Sequence, residues 1–397
     1  MKKRMFQKAG VISASLIFTI FIAIAVVSSA PIKSIVIGDL PDFQTVFPKL
    51  YQATVKACSL EQLQAIYDKS NELQRAALIN YLGTNWEKIV SSAESPKKNF
   101  LNEKYKSLVG KATAADFEKE FPKMLAVNVN VMTPQQIGAT LDALNEKEMG
   151  SMTIFLDNPG LKTLFTSTPS DKHGVILDHT PDWVLLEMGL RQYARIKDYT
   201  CTLQKQERVD GKLQSVEIVE MKYREKPKGV YMKWVDGLFK GRELIYNETI
   251  NPKTIRVREA GALGVIPATL SYDSALAKRG TNHLATEVGL KFLLDLELSE
   301  WKKGTKAGDL SDKNYGIQKI GPDNVYVRDS IMKKNPAVKY YSYRTKNYID
   351  YTRSMLIKVE VYDINDQLYE KYLYLNIKLN SGLKDLDFDP KNPAYRL

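Results

Sequence analysis

The chain has 397 residues, of which 44% are hydrophobic and 26% charged, and this balance argues against both a disordered chain and a protein with many membrane spans. A single core stops growing near ~250 residues, so we predict more than one domain. The two cysteines and three histidines exclude a disulfide scaffold and leave little material for a metal centre. We therefore expect no metal and no cofactor.

The formal net charge of +11 is concentrated toward the two ends of the chain. Residues 1–38 contain five basic residues and no acidic one, and the second excess is dispersed over the predicted strands of the C-terminal half. Nucleic-acid binding usually requires a concentrated basic stripe on a recognisable module. We therefore predict no nucleic-acid partner and a mildly cationic, solvated surface.

The first thirty residues have the layout of an export signal. Four basic residues within positions 2–8 precede an uncharged apolar run of 22 residues, positions 9–30. Such a run is longer than a usual signal core and would just span ~30 Å of hydrocarbon as a helix, while Val27 and Ser29 would suit cleavage before Ala30. Residues 1–30 are thus a signal peptide or an N-terminal membrane anchor, and both alternatives export the rest of the chain.

Residues 39–157 are predicted to form a helical module. Ser59 with Gln62, and Thr133 with Gln136, have the spacing of capping boxes, which start helices by pairing two free amides with two side chains. Apolar residues recur at helical spacing after each box. The module could serve as a spacer, a lid or a partner-binding unit.

Residues 158–180 have the proline and glycine content of a linker that leads to a second domain at residues 181–397. Thr180, at the end of the linker, has the position of a helix cap. His173 and His179 have no acidic or cysteine neighbour at metal-ligand spacing. We expect both histidines to be surface residues.

From Tyr199 the hydrophobic period changes from that of a helix to that of a strand. Apolar and polar residues alternate in about eight or nine segments joined by short turns, which makes the predicted sheet antiparallel. Within residues 214–224 the apolar phase slips between Ile218 and Val219. This slip indicates a β-bulge.

One amphipathic helix interrupts the strands after Asn282. Its apolar stripe is most simply placed across the concave face of the sheet. Packed cores and ligand cavities are lined by the same kinds of residue. The space between sheet and helix is therefore either a packed core or a ligand cavity. The predicted apolar lining consists of Val230, Met232, Trp234, Val257, Leu290, Leu293, Leu294 and Trp301.

Several short strings within residues 181–397 carry a family resemblance. They include Tyr199-Thr200-Cys201, Glu207-Arg208, Val230-Tyr231-Met232-Lys233-Trp234, Gly241-Arg242-Glu243, Arg279 with His283, and Asp387-Phe388-Asp389-Pro390. These strings resemble the bacterial envelope family called domain of unknown function 1571, which is related to LolA-like carriers that sort outer-membrane lipoproteins. The resemblance implies an antiparallel half-barrel that shields acyl chains. The family's polar positions fall on Arg242, Glu243, Arg279 and His283.

No catalytic sequence motif accompanies these residues. The chain lacks a nucleophile elbow, a phosphate-binding loop, a dinucleotide fingerprint and a zinc-protease motif, so we predict no enzymatic activity and no catalytic residues. We expect Arg242 to form an outward, solvated ion pair and His283 to be a cap or turn residue. Cys58 and Cys201 are expected to be buried thiols rather than a disulfide.

The sequence thus predicts an α+β protein, in which a separate all-α module precedes an antiparallel half-barrel with an inserted helix. We expect a non-catalytic protein of the bacterial periplasm that binds a lipid or the acyl chains of a lipoprotein, tethered to the inner membrane if the first helix is retained. One alternative is an envelope scaffold with a packed core, which binds a protein partner through the helical module. The other alternative is a hydrolase of an envelope polymer that uses His283.

Overall fold

The computed structural model describes residues 39–264 and 266–397, so the predicted signal or anchor at residues 1–30 lies outside the described residues. All described residues belong to one compact unit. Within this part of the chain, no helix combines the length and the apolar content needed to cross a membrane.

The described residues ahead of the sheet form ten α-helices, and an eleventh lies between strands. Their bounds are α1 Phe43–Ala57, α2 Leu60–Lys69, α3 Glu72–Leu82, α4 Asn85–Ser92, α5 Ser95–Tyr105, α6 Ala114–Val131, α7 Pro134–Leu141, α8 Glu146–Thr166, α9 Ser170–Asp178, α10 Asp182–Tyr193 and α11 Leu290–Ala307. The predicted capping boxes are confirmed. The Ser59 hydroxyl accepts the Gln62 amide at 3.2 Å and the Gln62 side chain accepts the Ser59 amide at 2.8 Å, and Thr133 and Gln136 repeat this pairing.

The stretch 158–180, predicted as a linker, is helical. Its first part completes α8, which is kinked at Asp157, where φ is 51°. Pro159 stands in the first turn beyond the kink, where a missing N–H breaks no hydrogen bond. A Cβ on Gly160 would lie 3.2 Å from Pro122 of α6. Proline and glycine here mark a kink and a close helix contact, so the linker prediction is wrong for these residues.

The prediction that His173 is a surface residue is also wrong. Its side chain is buried, and its Nδ1 lies 3.0 Å from the Tyr351 hydroxyl, so it connects the helices to the sheet. His179 remains partly exposed. Thr180 caps no helix, because α10 begins beyond it and its hydroxyl donates to the Ile176 carbonyl at 2.8 Å.

Twelve strands, each antiparallel to its neighbours, form one open sheet in the described residues. Their bounds are β1 Asp198–Val209, β2 Lys212–Leu213, β3 Glu217–Arg224, β4 Gly229–Asp236, β5 Glu243–Asn247, β6 Thr254–Arg258, β7 Ala268–Ser271, β8 Leu310–Ile320, β9 Asp323–Met332, β10 Arg344–Asp350, β11 Met355–Tyr362 and β12 Leu368–Leu379. The order across the sheet is β7-β6-β5-β4-β3-β1-β12-β11-β10-β9-β8, with β2 paired to β1. The predicted bulge is confirmed, because Ile218 faces Asp236 whereas Val219 faces Trp234.

Helix α11 packs against α10, β11 and β8, on the face of the sheet that we call inner. The amide of Leu290, its first residue, donates to the Tyr199 hydroxyl on β1 at 3.1 Å. A Cβ on Gly189 of α10 would lie 2.8 Å from a methyl group of Leu294, so this glycine allows the two helices to approach closely. The predicted fold class is confirmed: a helical module precedes an antiparallel sheet with one inserted helix.

The two cysteines are unpaired and buried, as predicted. Burial raises the pKa of the Cys58 thiol to about 11 and also raises the pKa of Cys201. Both side chains therefore stay protonated at neutral pH and act as small packing residues.

Candidate ligand site

A cavity lies between the inner face of the sheet and the segment that joins β7 to α11. We call residues 272–289 of this segment the strap. The strap contains no helix or strand, and loops of this length often cover binding sites. The cavity measures about 60 Å³, well below the ~300 Å³ at which ordinary ligand pockets begin. In this conformation it is too small for a lipid chain.

One side of the cavity is apolar. Its lining includes Leu203, Met232 and Leu244 from strands, Leu284 and Val288 from the strap, and Leu293 from α11. Every residue from Thr281 to Val288 is only partly buried, whereas the three strand residues are buried. The strap is therefore packed less deeply than the strands that it covers, which is typical of segments that open locally.

The other side of the cavity is charged, and Glu207 of β1 fastens the strap there. Its carboxylate accepts hydrogen bonds from the Tyr372 hydroxyl at 2.6 Å and from the Asn282 amide at 2.9 Å, and Lys205 Nζ lies 3.4 Å away. Burial would raise the pKa of Glu207, but the charge of Lys205 and the bonds from Tyr372 and Asn282 outweigh it and lower that pKa. Glu207 is therefore ionised while it holds the strap.

A second strand carboxylate, Glu370 of β12, also holds the strap. It accepts Asn282 Nδ2 at 2.9 Å and the Tyr341 hydroxyl at 2.7 Å, and His283 Nε2 lies 3.1 Å away. Burial would lower the pKa of His283, but the hydrogen bond and charge of Glu370, with the charge of Glu207, outweigh it and raise this pKa. His283 lies in the irregular strap, as the turn prediction implies, and it is also an ionic anchor.

Arg242 lines the cavity, so the prediction that it points outward into solvent is wrong, whereas its ion pair is confirmed. It is 2% exposed, and its Nη2 lies 3.3 Å from Glu259 Oε1. Arg279 of the strap donates to the other oxygen of Glu259 at 3.1 Å. Arg242 lies in the turn before β5, over the Trp234 ring at 5.1 Å. The strand alternation on which the outward prediction rested does not extend into this turn.

Glu243 does not reach the cavity. It is the first residue of β5, and its carboxylate accepts the Tyr231 hydroxyl at 3.4 Å and the Arg396 amide at 3.1 Å. The C-terminal segment covers it on the outer face of the sheet.

The structure brings six of the predicted residues together and separates the others. Those that line the cavity are Met232, Trp234, Arg242, Arg279, His283 and Leu293. Those buried in the core away from it are Val230, Val257, Leu290 and Leu294. Trp301 lines a separate cleft of about 340 Å³ beside Asp182 and Arg328.

Sequence reasoning missed the charged residues that β1 contributes. Lys205 and Glu207 continue the alternation of Tyr199, Cys201 and Leu203, so they lie on the same inner face. Charged strand residues are usually solvated, and that expectation concealed the pattern. Extending the two-residue alternation of β1 past Leu203, whatever the charge of the next residues, would have placed Lys205 and Glu207 on the inner face.

The described residues show no group of three or more His, Cys, Asp or Glu side chains that could hold a metal ion. The charged residues at the cavity are paired with one another instead, for example Glu207 with Lys205 and Glu370 with His283.

The fold and the cavity define a class of protein: an open antiparallel sheet crossed by one helix, with a small amphipathic cavity beneath a strap. The chain belongs to the DUF1571 family of proteins of unknown function, whose model matches residues 196–397. The predicted family membership is confirmed. A search of curated proteins finds no match.

Solved structures with a similar arrangement cover about half of the chain. The lipoprotein LppX of Mycobacterium tuberculosis is 13% identical, with 53% of this chain and 100% of that chain covered and a TM-score of 0.33. A LolA superfamily protein from Nitrosomonas europaea is 11% identical, with 52% and 96% covered and a TM-score of 0.23. In the Pseudomonas aeruginosa MucA/MucB complex, the matched chain is 12% identical, with 52% and 59% covered and a TM-score of 0.30.

Proposed function

We propose that this protein binds a lipid, or the acyl chains of a lipoprotein, between the sheet and the strap, without catalysing a reaction. The observation that supports the proposal is an apolar cavity wall beneath a half-buried strap. We place this activity in the bacterial periplasm, with the protein exported and, if residues 1–30 are retained, tethered to the inner membrane.

Binding requires the strap to move, because about 60 Å³ cannot hold a chain. Burying each methylene contributes about 0.8 kcal/mol, so a chain of about a dozen methylenes contributes on the order of 10 kcal/mol. That gain is large enough to offset the loss of the hydrogen bonds that Glu207 and Glu370 make to the strap, at about 0.5–3 kcal/mol each. The proposed bound state therefore has an open strap.

The test uses two tryptophan variants of the strap. Val288 lines the cavity, whereas Thr286 is a strap residue outside the cavity lining. Val288→Trp should fill the cavity and weaken binding of a long-chain fluorescent acyl probe by about tenfold or more. Thr286→Trp should leave the affinity unchanged, with both variants retaining the circular dichroism spectrum of the parent protein. Equal affinities in the three proteins, or no probe binding by the parent, would contradict the proposal.

A second candidate function is an envelope scaffold with a packed core. The small cavity favours it, as does a groove of about 550 Å³ in the helical module, lined in part by Lys49, Lys56 and Lys97. Such a groove suits an acidic protein segment. Lys56→Glu should then abolish capture of an envelope partner without changing the acyl-probe affinity, whereas Lys69→Glu, exposed on α2, should leave both unchanged.

A further inference from the structure

Arg242 has hydrogen-bonding capacity that the protein itself leaves unused. Its side chain is 3% exposed, and its Nε and Nη2 atoms are buried without a hydrogen-bond partner. Buried polar groups in native proteins are nearly always hydrogen-bonded. A buried guanidinium with two free donors that lines a cavity therefore points to a missing acceptor.

The two free donors suit one kind of acceptor. Guanidinium donors lie in a rigid planar fork that matches a carboxylate or phosphate with two parallel hydrogen bonds. The Trp234 ring at 5.1 Å and the Phe239 ring at 5.5 Å help to hold the guanidinium in place. Glu259 Oε1 lies 3.3 Å from Nη2 but makes no hydrogen bond. Glu259 therefore offsets the charge of Arg242 without accepting a hydrogen bond from Nε or Nη2.

The charges around Arg242 favour a single negative charge. Arg242 and Arg279 share the one carboxylate of Glu259, so one further negative charge would give each arginine its own partner. Across the cavity, Lys205 lies between Glu207 and Glu217, at 3.4 and 3.5 Å. Lys205 offsets only one of these two negative charges, so a head group with two negative charges is disfavoured more strongly than a head group with one.

We propose that Arg242 binds the carboxylate head of a free long-chain carboxylic acid, whose chain lies along the apolar side of the cavity. The inference rests on the proposed acyl-chain binding and narrows its ligand class. An esterified chain, as in a phospholipid or a lipoprotein, has no carboxylate at that end. Its ester or amide carbonyl accepts at most one of the two parallel hydrogen bonds and brings no negative charge to Arg242.

The test measures the affinity of the full chain for a long-chain fatty acid and for the methyl ester of that acid, both below their micelle concentrations. The parent protein should bind the acid about tenfold or more tightly than the ester. Arg242→Gln should abolish the preference for the acid over the ester, and a circular dichroism spectrum like that of the parent protein shows that the variant is folded. Arg256→Gln, which removes a β6 arginine bonded to Thr269, controls for the loss of one positive charge.

The outcomes separate this inference from the proposed function. Equal affinities of the parent protein for acid and ester would overturn the carboxylate site and leave acyl-chain binding supported. Tighter binding of an anionic phospholipid than of the acid would overturn it in favour of a phosphate head. Binding of neither acid nor ester would overturn both proposals.

Discussion

At the scale of single residues, we expect His283 to make closure of the strap depend on pH. It faces Glu370, Tyr341 and Glu207, and Glu287 lies four residues further along the strap, with an oxygen 3.9 Å from Nδ1. Because the folded-state pKa of His283 is raised above its unfolded value of about 6.5, its stabilising contribution is fully present below pH ~6.5. The contribution is lost as pH rises through the folded-state value.

We therefore predict that the strap opens more readily in alkaline solution. Hydrogen exchange of the amides of residues 281–288, corrected for the intrinsic pH dependence of exchange, should show protection that decreases as pH rises above neutrality. His283→Asn should flatten this dependence. His179→Gln, which alters a histidine bonded to Asp142 in the helical module, should retain the parent profile. The same slope in the His283 variant as in the parent would refute a role for this histidine.

At the scale of elements, the C-terminal segment covers the outer face of the sheet. The Phe388 ring is fully buried, and a Cβ on Gly229 of β4 would lie 2.7 Å from this ring. Tyr395 stacks on Tyr231 with 4.0 Å between ring centroids. This C-terminal segment is therefore a structural cover for β4 and β5 on the face of the sheet opposite the cavity.

Loss of this cover should destabilise the sheet. Phe388→Ala is expected to lower the free energy of unfolding by about 3–5 kcal/mol, because it removes a fully buried aromatic ring. Leu386→Ala, in the same segment but 53% exposed, should change it by less than about 0.5 kcal/mol. Urea denaturation followed by circular dichroism measures both values. Similar losses in the two variants would contradict specific docking of Phe388.

At the scale of the whole molecule, features with a local cause could be predicted from sequence. The box at Ser59 and the bulge at Ile218 were both visible in the order of residues. The strap could not be predicted, because Glu207 and Glu370 reach it from strands far away in sequence. The number of strands was underestimated, because about eight or nine were predicted and the described residues form twelve. Strand β8 illustrates one reason: none of its residues is fully buried, so its apolar alternation is weak.

The separation into domains also depends on contacts that sequence does not show. Arg328 of β9 donates to the Thr180 carbonyl at 2.9 Å, and it forms ion pairs with Asp182 of α10 and Asp312 of β8. Burial raises the pKa of Asp182 to about 7, although Arg328 opposes the shift. This buried network joins α10 to the sheet, and the Trp183 indole of α10 donates to Glu146 of α8 at 3.1 Å, which links the network to the helical module. We propose that the two parts unfold together rather than as independent domains.

Calorimetry of the full chain tests this proposal. One transition is expected, with equal calorimetric and van't Hoff enthalpies. Arg328→Leu should lower that single Tm, because loss of one partner of a buried ion pair costs about 3–5 kcal/mol. Lys319→Leu, an exposed change on β8, should change the free energy of unfolding by less than about 0.5 kcal/mol and leave the Tm nearly unchanged. Independent domains would instead give two transitions, of which the arginine variant shifts only one. The helical module would then be free to move relative to the sheet.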